Sequence, residues 1–443
     1  HHCEALYEKI RERGGKERMN MTTLILFGSF VLFLVLGLPV SISLGLSSLV
    51  SFLYCGIPIV TIAQRLYTGM DSFPLMAIPL FILAGNLMTA GGISRKIVDF
   101  ANLLTGRVRG GLAYTAILAC AIFAALSGSG PATTIAIGAM IYPSMKEMKY
   151  PEAQSAGLMA VAGGLGPVIP PSIIMVIYST LVGCSVTSMF SAGIFWGVFT
   201  VLVLAGVVFV ISRKDKWPKA GVQKHTAREL LGVIARTLPA LAVPLIILGG
   251  IYSGFFTPTE SAGIACVAAY LIGRFVYKEI SLHNLPTILV DSAKQSTVIM
   301  FIIACATAFS YFFSYAGLTK SLTQFVLSCH MSPTVFLLFC FVLLVIFGMF
   351  MDGTSIAVLL VPLLWPVAKE LGIDVIHFGI VFCILNSLGC CTPPVAVNLF
   401  GMANISGLSV GEITKGEMPF FIANLCVVLL IIFVPAVTAW VVG

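Results

Sequence analysis

The sequence predicts an all-α polytopic membrane protein made of two inverted-topology repeats, each holding a re-entrant hairpin and a broken helix. Three observations predict it. Of 443 residues, 58% are hydrophobic and 10% charged, with a mean hydropathy of +1.04, which is more apolar material than a water-soluble core can use. Helix breakers interrupt the apolar runs at residues 127–130 and 166–171, where lipid offers no water to a peptide group, so a broken backbone there has to face protein or a cavity. The pattern then recurs, because a shift of 223 positions lays Gly130 on Gly353, Pro143 on Pro366, Gly166 on Gly389 and Pro170-Pro171 on Pro393-Pro394.

Residues 1–20 are polar and basic, with Met19 and Met21 as plausible starts, and are set aside from the fold as a tail, a foreign extension or a fusion remnant. The first repeat is expected over 21–211. Its opening apolar run, 22–55, exceeds the roughly 20 residues that cross a bilayer and divides at Gly37-Leu38-Pro39. An interfacial stretch with Arg65 and Asp71 follows, then a span at 74–90 and a basic loop carrying Arg95, Lys96, Arg107 and Arg109. Residues 112–145 make two apolar pieces too short to cross, meeting at the Ser127-Gly128-Ser129-Gly130 tip as the hairpin. Residues 150–184 make the broken helix and 189–211 a full span. A polar connector, 212–236, is expected on the cytoplasmic side.

The second repeat, 237–443, has the same order: spans at 238–253, 261–277 and 296–314, a hairpin at 334–369, a broken helix at 374–403 and a last span at 419–441. With a shift of 225 the match extends upstream, residues 90–100 against 315–325. Five crossings per half put the second half in from the opposite face. Charge agrees: Arg95, Lys96, Arg107, Arg109, Lys146, Lys149, the basic residues of 213–236, Arg274, Lys278, Lys294 and Lys415 share one face, against Arg65, Lys320 and Lys369 on the other. The basic tail falls on the wrong face in this count, so either the tail is foreign or the first two spans are miscounted.

The net charge of +7 marks cytoplasmic loops and gives no reason to invoke nucleic acid. Twelve cysteines, scattered through apolar runs without a CxxC pair, read as small buried hydrophobes. No GxxxxGK[ST] motif is present to bind ATP.

The breaks carry the chemistry. Ser127, Ser129 and Thr133 bring hydroxyls to the first tip, and Thr354 and Ser355 bring them to the second. The facing breaks, 166–171 and 389–394 with Thr392, expose carbonyls that proline cannot tie into a helix. A tip and a break together offer an oxygen cage for a hard monovalent cation. Asp352 stands out as the one acid of eighteen inside a long apolar environment, where a carboxylate costs about 2.5 to 3.5 kcal/mol or more, although capping a helix is the plainer use of it. Glu260 has capping-box spacing from Thr257 and reads as structural.

The stretches SGSGPAT, GPVIPPS, GFFTPTE, MDGTS and TPPVAVN, at residues 127–133, 166–172, 254–260, 351–355 and 392–398, resemble the large membrane subunit of TRAP (tripartite ATP-independent periplasmic) transporters. The resemblance covers nearly the whole chain after residue 20. It implies an elevator-type, sodium-coupled importer of a small organic acid in a bacterial inner membrane, working with a small TRAP membrane subunit and a periplasmic substrate-binding protein. It implies sodium ions at Ser127, Ser129 and Gly130 with Gly166 and Pro170, and at Gly353 and Ser355 with Gly389 and Thr392. It places substrate near Ser129, Ser172 and Asp352, and leaves open a former fusion of residues 1–20 to the small subunit.

Two rivals come from other classes. A passive channel also uses broken helices, but paired hairpins on inverted repeats suit alternating access. An intramembrane protease needs a base beside its serine or two buried aspartates, and the six histidines lie in the tail, in loops or at segment ends. No enzyme is expected, nor any cofactor beyond sodium as coupling ion.

Overall fold

The structure is a computed structural model that describes residues 21–219, 227–394 and 396–442; the tail 1–20 and part of the 212–236 connector lie outside these. Among the described residues it is helical throughout, apart from one isolated bridge between Arg109 and Lys219. Seven helices among the described residues are long and apolar enough to cross a membrane, the longest being 29 and 31 residues, against about 20 needed at 1.5 Å per residue. The chain divides into two compact units, residues 1–72, 297–333 and 357–373 in one and 73–296, 334–356 and 374–443 in the other.

The first unit holds α1 (Met21–Val35), α2 (Val40–Tyr54), α3 (Ile59–Met70), the later part of α13 (Leu285–Tyr315), α14 (Leu318–Ser328) and most of α16 (Gly353–Glu370). The opening apolar run breaks at Gly37, whose φ of +82° is one that a side chain resists. Helices approach closely where side chains are small: Gly45 of α2 faces the Cys305 sulfur, and the Ser48 and Ser51 hydroxyls fold back onto the Leu44 and Ser47 carbonyls at 2.7 Å. Phe27 meets Phe309 and Phe313 edge to face at 5.9 and 5.8 Å, and Arg65 lies 3.9 Å over the Tyr311 ring.

The second unit holds α4 (Ala77–Ala90), α5 (Ile93–Thr105), α6 (Gly111–Ser127), α7 (Gly130–Glu147), α8 (Glu152–Gly163), α9 (Ile173–Val182), α10 (Val186–Lys214), α11 (Ala227–Tyr252) and α12 (Pro258–Leu271). It continues with the start of α13, α15 (Pro333–Gly348), the first turn of α16, α17 (Val375–Gly389), α18 (Val397–Ser406), α19 (Val410–Phe433) and α20 (Pro435–Val442). On α10 the sides divide as lipid and protein require, with Val198, Leu202 and Phe209 exposed and Phe190, Trp196, Thr200 and Leu204 buried. A close seam joins α8 to α19, where a Cβ on Gly157 would strike the backbone of Glu417 and one on Gly416 the backbone of Ala153.

Two expectations change. The basic loop after residue 90 is in fact helix α5, because Ile93, Ile97 and Ala101 recur every four residues and bury one face while Arg95 stays out. The last span is two helices, α19 beginning at Val410 and α20 at Pro435, since proline withholds an N–H and turns Val434 out of the helical region (φ −126°, ψ 66°). Glu260 does what its spacing from Thr257 promises: the Thr257 hydroxyl accepts from the Glu260 N–H, and the Glu260 carboxylate accepts from the Thr257 N–H at 2.8 Å.

Helix boundaries recur between the halves. Moved by 223, the range of α7 becomes that of α16; moved by 225, left-handed Gly92 before α5 becomes left-handed Gly317 before α14.

Candidate functional site: two helix tips and two breaks

The first tip is made by ending one helix and capping the next. α6 stops at Gly128, whose φ of +60° suits only a residue without a side chain, and its N–H still bonds the Ala124 carbonyl at 2.9 Å. Ser129 is extended and caps α7, its hydroxyl facing the Ala132 N–H at 3.5 Å. Behind it Thr133 donates to the Ser129 carbonyl at 2.8 Å and shares a 2.8 Å hydrogen bond with Ser127. Ser127, Gly130 and Thr133 are buried, and Ser129 is half-buried.

The first break lies against this tip. α8 ends at Gly163, the chain runs through successive tight turns, and Ser172 caps α9, accepting from the Met175 N–H and donating to the Pro167 carbonyl at 2.8 Å. A Cβ on Gly166 would lie 2.5 Å from the Gly130 nitrogen and 2.6 Å from the Ser129 oxygen, so only glycine lets the two backbones touch. A Cβ on Gly128 would lie 2.7 Å from the Pro171 oxygen, and the Ile173 N–H reaches the Gly128 carbonyl at 3.4 Å. Ser127, Ser129, Gly130, Gly166 and Ser172 are thus gathered in one place. Pro170 is buried in the same turn, joined to Pro171 by a cis peptide bond.

At the second tip Asp352 occupies the place that Ser129 holds 223 positions earlier. It is half-buried and caps α16: one oxygen accepts from the Thr354 and Ser355 N–H groups at 3.0 and 3.1 Å, and the other accepts from the Ser355 hydroxyl. The facing break packs as closely on the end of α15, where a Cβ on Gly389 would lie 2.9 Å from the Gly348 Cα. Thr392 closes that break on itself, its N–H on the Gly389 carbonyl at 3.0 Å and its hydroxyl on the Leu388 carbonyl at 2.9 Å. Asn386, one turn before Gly389, donates to the Gly353 carbonyl at 3.0 Å. Gly353, Ser355 and Gly389 therefore share the second assembly, while Thr392 lies in it with its own groups engaged locally.

Contacts between the two assemblies are reciprocal. The Ser387 hydroxyl donates to the carbonyl of Gly164, its own counterpart at a distance of 223. A Cβ on Gly130 would lie 3.6 Å from the Asn398 side chain, at the second residue of α18, and one on Gly353 would lie 2.9 Å from Ile174, at the second residue of α9.

Asp352 is not the only acid held away from water, contrary to its sequence-based standing. Glu417, at the head of α19, is 1% exposed, and one of its carboxylate oxygens has no hydrogen-bond partner among the described residues. Lys415 and Gly416 beside it masked this, because burial comes from the α8 seam and not from its own segment. Asn386 and Asn398, both fully buried, were also missed. The signal that could have found them is an amide placed where the other half of the repeat, 223 positions earlier, has Gly163 and Met175.

A family model described as the DctM component of the tripartite ATP-independent periplasmic transporter matches residues 27–437. The chain is 37% identical over 434 residues to the C4-dicarboxylate TRAP transporter large permease protein DctM of Rhodobacter capsulatus, covering 94% of this chain and 98% of that one. It is 35% identical to the 2,3-diketo-L-gulonate TRAP transporter large permease protein YiaN of Escherichia coli, covering 94% and 97%. With the sialic acid TRAP transporter permease protein SiaT of Haemophilus influenzae it shares 32% identity over 93% of this chain and 67% of that longer one. Among solved structures, the YdaH transporter of Alcanivorax borkumensis superposes with a TM-score of 0.59 at 16% identity, covering 86% and 89% of the two chains. Neisseria gonorrhoeae MtrF superposes with 0.61 at 13%, covering 94% and 97%, so both share the fold.

Proposed function

Because the chain belongs to the DctM component family of tripartite ATP-independent periplasmic transporters, we propose that it carries out sodium-coupled uptake of a small organic acid, delivered by a periplasmic binding protein, by alternating access. It is a multi-pass membrane transporter subunit and not an enzyme. The observation that carries the finer reading is the twofold occurrence of one device, a tip pressed onto a break, within a single compact unit.

The chemistry of each device suits its cargo. At the first tip α6 and α8 end, and their C-termini carry partial negative charge; α7 and α9 begin there, and their N-termini carry partial positive charge. Sodium fits the first kind of end, with the Ser127 hydroxyl, the Ser129 and Gly130 backbone and the carbonyls of 166–170 as neutral oxygens. A substrate carboxylate fits the second, at the serine caps Ser129 and Ser172, whose side chains add hydroxyl donors. At the second tip Gly353, Ser355, Gly389 and Thr392 supply the oxygens, and Asp352 adds a charge that offsets a second sodium. The reciprocal contacts through Gly164 and Ser387 are those that two halves related by a two-fold axis make, and the distribution of basic residues supports an axis in the membrane plane. An elevator needs both sites in one body, and both lie in the second unit. The small TRAP membrane subunit and the binding protein complete the machine in an inner membrane.

The test is uptake into liposomes holding this chain, the small subunit and substrate-loaded binding protein. Uptake should saturate with sodium with a Hill slope above one. Undiminished uptake with choline or potassium in place of sodium ends the sodium reading, and accumulation that never exceeds the solute's own gradient makes the protein a channel.

A further inference from the structure

The two tips differ in one respect that neither the duplicated motifs nor the sodium reading uses. Asn386 and Asn398 are both fully buried, and each has its amide nitrogen tied to backbone: Asn386 to the Gly353 carbonyl at 3.0 Å, Asn398 to the Ala160 carbonyl at 3.1 Å. That bond fixes the amide plane. In both residues the other end, Oδ1, has no hydrogen-bond partner among the described residues. From where a Cβ on Gly353 would be, Asn386 Nδ2 and Oδ1 stand at 2.6 and 2.8 Å; from where one on Gly130 would be, Asn398 Nδ2, which also reaches the Cys391 sulfur at 3.6 Å, stands at 3.6 Å, with Oδ1 on the same amide group.

These residues break the repeat. Where the second half has Asn386 the first has Gly163, 223 positions earlier, and where α18 has Asn398 as its second residue α9 has Ile174. Because the returning helices cross over, each tip nevertheless receives one asparagine, the second from its own half and the first from the other. A buried amide oxygen without a partner is unfavourable and calls for an occupant. Amide oxygens are ligands of hard cations, as backbone carbonyls are.

We propose that Asn386 Oδ1 and Asn398 Oδ1 are cation ligands, one for each tip, so that the two cages are chemically unlike: Asn386 acts beside the Asp352 carboxylate, and Asn398 beside the tip that carries Ser129 in its place. The proposal rests on the sodium-coupled reading. It explains why both amides come from the second repeat although the tips come from both: the place that Asn398 fills at the first tip is filled at the second by Ile174, and the place of Asn386 at the second is Gly163 at the first.

The test reads binding and not transport. In purified protein, the thermal midpoint is followed as sodium chloride replaces choline chloride at constant ionic strength, because a ligand of the native state raises it by mass action. Asn386→Leu and Asn398→Leu should each raise the half-saturating sodium concentration at least tenfold and flatten a two-site titration towards one site, with the midpoint in choline reporting folding. Asn386→Asp and Asn398→Asp keep an oxygen at the same place but give up the amide donor, and should respond to sodium within threefold of the parent. Parent-like titrations in the Leu variants overturn the proposal. So does an equal loss in the Asp and Leu variants, which assigns the effect to the donated hydrogen bond. If a Leu variant fails to fold, the Ala variant at the same position takes its place on the same criterion. A parent protein without any sodium response removes the sodium reading and this proposal together, whereas a responsive parent with unresponsive differences between variants removes only the proposal.

Discussion

At Asp352 the two roles foreseen for an acid among apolar residues turn out to be compatible. Three donors within the first turn of α16 hold its carboxylate, as a helix cap would, and the Ser355 hydroxyl is one of them. Asp352→Asn keeps the shape and one capping oxygen, so it should insert and purify normally at a cost of about 1 kcal/mol or less. It removes the fixed charge, and initial uptake under an inward sodium gradient should fall more than tenfold; near-normal uptake would leave Asp352 as a cap alone. Glu260→Gln is the contrast. It weakens a capping box at the head of α12, so it should lower the melting midpoint slightly and keep its sodium dependence. Legibility at this scale followed chemistry that is local in the chain. Thr257 and Glu260 lie within one turn of each other, so their bond could be foreseen from spacing. Asn386 and Glu417 are defined by what packs on them from far away in sequence, and nothing near them in the chain announces it; Asn398 ends the TPPVAVN stretch, but its neighbour at the first tip is not written there.

Among the elements, glycine and proline were the readable signals because they act on their own backbone. Gly37, Gly128 and Gly166 each stand where a helix ends or a close approach is needed, and each was visible as an interruption in an apolar run. α5 was not visible, since Arg95, Lys96, Arg107 and Arg109 drew attention to charge while the burying positions Ile93, Ile97 and Ala101 recur at a spacing that the charges obscure. The tip and break assemblies depend on the glycines in a way that substitution can measure. Gly166→Ala puts a methyl group 2.5 Å from the Gly130 nitrogen, and overpacking of this kind costs about 1 to 3 kcal/mol. It should depress sodium-dependent uptake at least tenfold. Gly206→Ala, in a helix with nothing within 4 Å of the added carbon, should leave uptake as it is. Equal behaviour of the two variants would mean that the contact between tip and break is not needed for coupling.

For the molecule as a whole, charge distribution and the repeat make one statement about orientation. Lys146 and Lys369 close the helices that follow the two tips and are counterparts at 223 positions. If the repeats are inverted, cysteines replacing them one at a time in a cysteine-free background should react with a membrane-impermeant thiol reagent from opposite sides, Lys146→Cys from the cytoplasm and Lys369→Cys from outside. Labelling of both from one side would make the repeats parallel. The helical and apolar character of the chain followed from composition, whereas helix α5, the division of the last span at Pro435 and the crossing of α9 and α18 onto each other's tips did not, because a linear pattern carries no information on which half packs where.

Where Gly348 and Gly389 meet, both partners are already the smallest residue there is. Most packing errors in a core can be repaired by trimming the neighbour, and evolution uses that freedom when sequences drift. Here there is nothing left to trim. A selection for second-site revertants of Gly348→Ala should therefore never return a change at residue 389; recovery has to come from residues that let one helix shift as a whole.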